Sequence, residues 1–115
     1  MIERFETTSR LSKILAVGNS VFLSGLTAKD KSGDVKQQAL DIFHQIEGYL
    51  AMAGTDKRHL VSVNIWLADI TLAPRMNEAW ESWIDPEALP ARATVGAALG
   101  GQGTLIEVMA QAIRP

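Results

Sequence analysis

The apolar period of this chain changes twice in its middle third, and that change limits what it can fold into. From Val35 onward, Ala39, Ile42, Phe43, Ile46, Leu50 and Ala53 recur at the spacing of one helix face. Asp34 stands where a helix N-cap belongs, and Gly54 where the helix should stop. The stretch "HLVSVNIWLADI" then alternates. Val61, Val63, Ile65 and Leu67 fall on one side and Ser62, Asn64 and Trp66 on the other, as in a strand with two distinct faces. Pro74 suits the first turn of a second helix, whose stripe is Met76, Ala79, Trp80 and Trp83 before Asp85-Pro86 ends it. A helix, a strand and a helix in succession are too mixed for a bundle.

The flanks supply more strands. Ile2 to Thr7 and Leu11 to Val17 read as two short strands, and "KILAV" and "VFLSG" pair across Gly18-Asn19, a dipeptide that tolerates the positive φ of a tight turn. "ARATVGAAL" and "TLIEVMAQAI" follow the second helix, and "GGQG" between them reads as a hairpin turn joining strands 91–99 and 104–112. The expected order is β-β-β-α-β-α-β-β. Regular βαβ alternation is missing, so the class is α+β: one mixed sheet with two helices on one face, in a single domain over residues 1–115. Two helices leave the second sheet face bare. Trp66 and the apolar final strand point to a partner surface there, and self-association is expected without a fixed number of copies.

Composition removes several function classes. Apolar residues make up 47% of the chain and the net charge is -2. Nucleic-acid binding requires a basic face that this balance does not provide. With no cysteine there is no disulfide frame, thiolate nucleophile or cysteine metal site. No apolar run approaches the ~20 residues of a membrane span. The first ten residues, "MIERFETTSR", lack the apolar core of a signal peptide. The expectation is a cytoplasmic protein with no nucleic-acid or membrane partner.

One residue is out of place. Glu107 interrupts "TLIEVMAQA", between Ile106 and Val108. A carboxylate leaving water needs a partner. Arg92, in "LPARATV", is the natural one, because its planar fork grips a carboxylate at two points. The plain alternative for both is a structural ion pair. His44 falls on the solvated side of the long helix and His59 at a strand start, and neither has metal-ligand spacing. Ser24 lacks a nucleophile-elbow context, and "GGQG" lacks the lysine and helix of a phosphate loop. By itself Asn77 reads as a solvated or capping group.

"PARATV" followed by "IEVMAQA" resembles the ending of the RidA/YjgF family of reactive enamine/imine deaminases. "VGNSVFLSG" is similar to that family's hairpin, "DVKQQALDIFHQIEGYLAMAG" to its long helix, "VSVNIWLADI" to its central strand and "MNEAWESW" to its second helix. The resemblance covers nearly the whole chain. It implies a chorismate-mutase-like fold and a homotrimer with a central β-barrel and clefts between neighbouring subunits. It implies hydrolysis of 2-imino acids such as 2-iminopropanoate and 2-iminobutanoate to 2-keto acids and ammonia, with no metal or organic cofactor. In the same resemblance Arg92 holds the substrate carboxylate, Glu107 positions or activates the attacking water, and Ser24 and Asn77 lie near the cleft. Leu11 stands where the best-studied branch has tyrosine, and Thr94 where it has cysteine, so the chain looks like a divergent branch. A non-catalytic module binding small carboxylates or a protein through the same cleft is the alternative. An endoribonuclease or translation inhibitor, roles attached to some family members, is disfavoured by the acidic charge balance.

Overall fold

The computed structural model describes residues 1–115. Strands β1 (Ile2–Thr7), β2 (Ser12–Val17) and β3 (Ser20–Leu23) form a meander, and a two-residue strand β4 (Leu26–Thr27) follows. Helix α1 (Val35–Met52), strand β5 (Leu60–Leu67), helix α2 (Ala73–Trp83) and strands β6 (Ala91–Gly96) and β7 (Ile106–Ile113) complete the chain. β4 is too short to leave a periodic trace in sequence and was not expected. The sheet runs β1-β2-β3-β7-β5-β6, with β4 pairing β7 where β3 has ended.

The expected first hairpin turn and the cap of the long helix both form. Gly18 adopts φ 57° between β2 and β3. Asp34 caps α1 through a reciprocal box, its side chain accepting from the Gln37 N–H at 2.9 Å while Gln37 Oε1 accepts from the Asp34 N–H. The Gln37 N–H, with Arg75 from α2 reaching the same carboxylate, holds Asp34 below the usual carboxylate range. The contact also ties α2 to the start of α1.

The last hairpin does not form. β5 lies between β6 and β7, parallel to β6 and antiparallel to β7. Residues 97–105 carry the chain around the end of β5, pinned by Ala97 N–H to Leu67 O and Ala68 N–H to Leu105 O. Burial explains the order. β6 is mostly exposed and follows Pro90, both marks of an edge strand, whereas β5 buries four residues on its core side. A second correction concerns β5 itself. A bulge between Leu60 and Ser62 puts Leu60 in the core and leaves Val61 exposed, so only Val63, Ile65 and Leu67 of the expected stripe are buried.

Both helices cover one face. Ile42, Phe43, Ile46 and Leu50 from α1 and Met76, Ala79 and Trp80 from α2 join Ile14, Ile65 and Val108 from the sheet in one apolar cluster. Phe43 stacks on Trp83 at 4.6 Å and meets Trp80 edge-on at 5.8 Å. The other face is uncovered. Val17, Val61, Val95, Met109 and Ile113 stand on it, each 38–47% exposed, with Trp66 half-buried among them.

Gln38 on α1 is a polar residue fully buried on the core side. Its Nε2 donates toward the carbonyls of Gly103 (3.0 Å), Gly33 and Lys31, and its Oε1 accepts from Leu105 N–H at 3.1 Å. The amide therefore fixes the entry to β7, two residues before Glu107. Gln38→Ala should cost about 3 kcal/mol, because the cavity and the unpaired Leu105 N–H add. Urea unfolding measures it, and a loss below about 1 kcal/mol would mean the loop rearranges freely without the amide.

Candidate active site

Arg92 lies on the edge strand β6 and pairs with Val63, so its side chain leaves the sheet on the helix side. Two α2 residues one turn apart receive it. Its Nη1 donates to Asn77 Oδ1 at 2.8 Å, and its guanidinium carbon sits 5.0 Å from the centre of the Trp80 ring. Arg92 forms no ion pair. Most of its N–H groups remain available on an exposed, oriented fork. Thr94, two residues along the same strand face, has a buried hydroxyl with no hydrogen-bond partner.

Glu107 has no such escort. It lies on β7 opposite Trp66 and Thr27, and no hydrogen bond or ion pair engages its half-buried carboxylate. Its Oε2 occupies the space beside Gly25 that a Cβ would fill, so Gly25 is the residue that admits it. Ser24, next along, donates to Ser12 O at 2.6 Å, and its N–H bonds Lys13 O. Here the chain leaves the sheet after β3, before β4 rejoins β7. A cavity of about 270 Å³ opens at this break, lined by Leu11, Lys13, Ser24, Gly25, Lys29 and Gln45 among others.

The two clusters do not meet within one chain. Arg92, Val63 and Ala110 share one register line, and Glu107 lies three residues along β7 from it. That is about 10 Å across the strands and about 10 Å along them. The odd offset also puts Arg92 and Glu107 on opposite faces of the sheet. A structural ion pair, the plain alternative for each residue, does not form between them within one chain, and they share no cleft inside a single subunit. The structure does bring Arg92 to Asn77 and Glu107 to the Ser24-Gly25 break. His44 is exposed on α1 and His59 pairs with Asp56, away from both clusters. No three His, Cys, Asp or Glu side chains converge to hold a metal. Trp80, read in sequence as part of the second-helix stripe, and Gly25 and Lys13 also belong to the two clusters. Trp80 was legible as the residue one turn beyond Asn77, and Gly25 as the partner of Ser24 in "LSG".

The architecture is a mixed α+β sheet with one uncovered face and two separated side-chain clusters, around Arg92 and around Glu107. The family model described as endoribonuclease L-PSP matches residues 1–114, and the chain belongs to this family, the RidA/YjgF family that its motifs resemble. A RutC family protein from Haemophilus ducreyi is 30% identical over 109 residues, covering 95% of this chain and 93% of the relative. A solved protein from Pseudomonas aeruginosa matches at TM-score 0.97 with 32% identity, covering all of both chains. A YjgF family member from Neisseria meningitidis also matches at TM-score 0.97, with 31% identity, covering 100% of this chain and 96% of that one. No helix of the chain is long and apolar enough to cross a membrane.

Proposed function

We propose that the protein is an enamine/imine deaminase that hydrolyses 2-imino acids to 2-keto acids and ammonia. It acts as a homotrimer in which the Arg92 cluster of one copy and the Glu107 cluster of its neighbour border one cleft. The observation that carries this reading is the Arg92 guanidinium, braced by Asn77 and Trp80 with its remaining donors unused. The bare apolar face supplies a surface for assembly, and the opposite placement of Arg92 and Glu107 gives assembly a catalytic purpose.

The chemistry needs little more than placement. The substrate carboxylate takes two parallel hydrogen bonds from Arg92. That fixes the imine carbon, which is already electrophilic. Glu107 accepts a proton from water as the water oxygen bonds to that carbon. That proton passes to nitrogen, giving a carbinolamine; the hydroxyl proton then moves to nitrogen by way of Glu107, the O–H electron pair forms the C=O bond, the C–N bond breaks with its pair going to nitrogen, and ammonia leaves the 2-keto acid. One water is consumed for each imine, and no redox change occurs. A net charge of -2 supports a small-molecule anion over RNA as ligand.

Keto-acid release from 2-iminopropanoate and 2-iminobutanoate, made in situ by an amino-acid oxidase, tests the proposal. Wild type should accelerate release. Glu107→Gln should lose about a hundredfold or more in kcat while still binding 2-oxobutanoate, since the charge that moves the proton is gone but the anchor is not. No acceleration by an intact trimer on several imino acids would sink the reading. Equal loss of binding and turnover in Glu107→Gln would favour a binding module.

A further inference from the structure

The Ser24 end of the cleft holds more positive charge than a monocarboxylic imine uses. Lys13 and Lys29 both line the cavity at the β3 break, and no acidic side chain lines it. Lys13 forms no ion pair; its ammonium lies 6.0 Å from the centre of the Tyr49 ring. The β1–β2 register sets Glu6 across from Lys13, yet Glu6 stands at φ 52°, outside strand geometry, and the two do not join. Asp41 faces Lys29, whose charge helps to lower its carboxyl, and that carboxylate is also held by hydrogen bonds. Its Oδ2 accepts the Lys29 and Asp30 N–H groups and its Oδ1 the Gln45 amide. Those bonds outweigh burial and hold it below the usual carboxylate range. Lys13 is therefore half-buried and without an ion-pair partner, in the cavity lined by Ser24 and by Gly25, the glycine against which the Glu107 carboxylate packs.

We propose that Lys13, with Lys29 behind it, forms a second anion subsite, and that the preferred substrate is a 2-imino dicarboxylic acid. The proposal rests on the deaminase reading. Arg92 of one copy takes the carboxylate next to the imine, and Lys13 of the neighbour takes the side-chain carboxylate. An ammonium that lacks a partner in the free protein gains one only when such a ligand arrives, so the interaction selects for charge rather than size. A neutral side chain of the same shape leaves Lys13 unpaired and gains nothing from it.

The test compares imines of aspartate and asparagine, which share a shape and differ in charge, with the imine of alanine as reference. Each is generated in situ by a suitable oxidase. For wild type, kcat/KM should be higher for the aspartate imine than for the asparagine imine by about tenfold or more. Lys13→Gln should collapse that ratio toward one. Lys29→Gln should reduce it less. A wild-type ratio near one, or a ratio unchanged in Lys13→Gln while alanine imine is turned over, overturns the subsite and leaves the deaminase reading standing. If no imine is hydrolysed, the deaminase reading falls and binding decides the subsite. Calorimetry with 2-oxoglutarate and 2-oxobutanoate should then show the dianion bound more tightly and weakened about tenfold by Lys13→Gln. Equal affinities overturn it.

Discussion

Arg92→Ala should lower kcat/KM for 2-iminopropanoate by a factor of about a hundred to a thousand, with stability almost unchanged. The activity loss follows from what the residue gives the ligand. Removing one member of a charge-assisted, two-point contact costs about 2–5 kcal/mol. The small stability loss follows from its surroundings. Arg92 is exposed, forms no ion pair, and its protein contacts are one hydrogen bond to Asn77 and the face of Trp80. The ring contact at such a site contributes about 0.5–1 kcal/mol. Arg92→Lys retains charge without the planar fork and should recover only part of the loss, seen as a raised KM. Steady-state kinetics with urea unfolding on the same preparations separates the two effects. A large stability loss with a proportionate activity loss would make Arg92 a structural residue.

Much of the fold was legible because periodicity reports burial directly. The long helix announced itself through Ile42, Phe43, Ile46 and Leu50, and its start through Asp34. The failures have a common physical origin. β6 and β7 look like a hairpin because glycines join two strand-like runs, and local turn chemistry says nothing of a third strand that enters between them. The better guide was the exposed, proline-preceded character of β6, which belongs on an edge. The bulge at Val61 left no mark, since leucine and valine both satisfy the apolar stripe. Gln38 was visible as a polar residue at i−4 from Ile42 within that stripe, but its partners come from loops at residues 31–33 and 103–105 that only tertiary structure assembles. At the site, motif resemblance picked out Arg92, Asn77, Ser24 and Glu107. Pattern alone did not reveal that Arg92 and Glu107 leave opposite faces, because that depends on which strand lies between them.

That separation yields the second large prediction. Arg92→Ala and Glu107→Gln are each expected to be nearly inactive alone, and equal amounts of the two, allowed to exchange subunits, should regain about a quarter of wild-type activity. In the proposed assembly each cleft draws its arginine from one copy and its glutamate from the next. A cleft works when the arginine comes from a Glu107→Gln chain and the glutamate from an Arg92→Ala chain. Random assembly gives that combination at about one cleft in four. Nothing within one chain produces the rescue, because roughly 14 Å and the sheet itself lie between the two side chains. Native mass spectrometry verifies that mixed oligomers have formed before activity is read. Mixed oligomers with no more activity than their parents would show that the two residues do not serve one cleft. Rescue near a quarter would establish both the shared site and the copy-to-copy geometry that a single chain forbids.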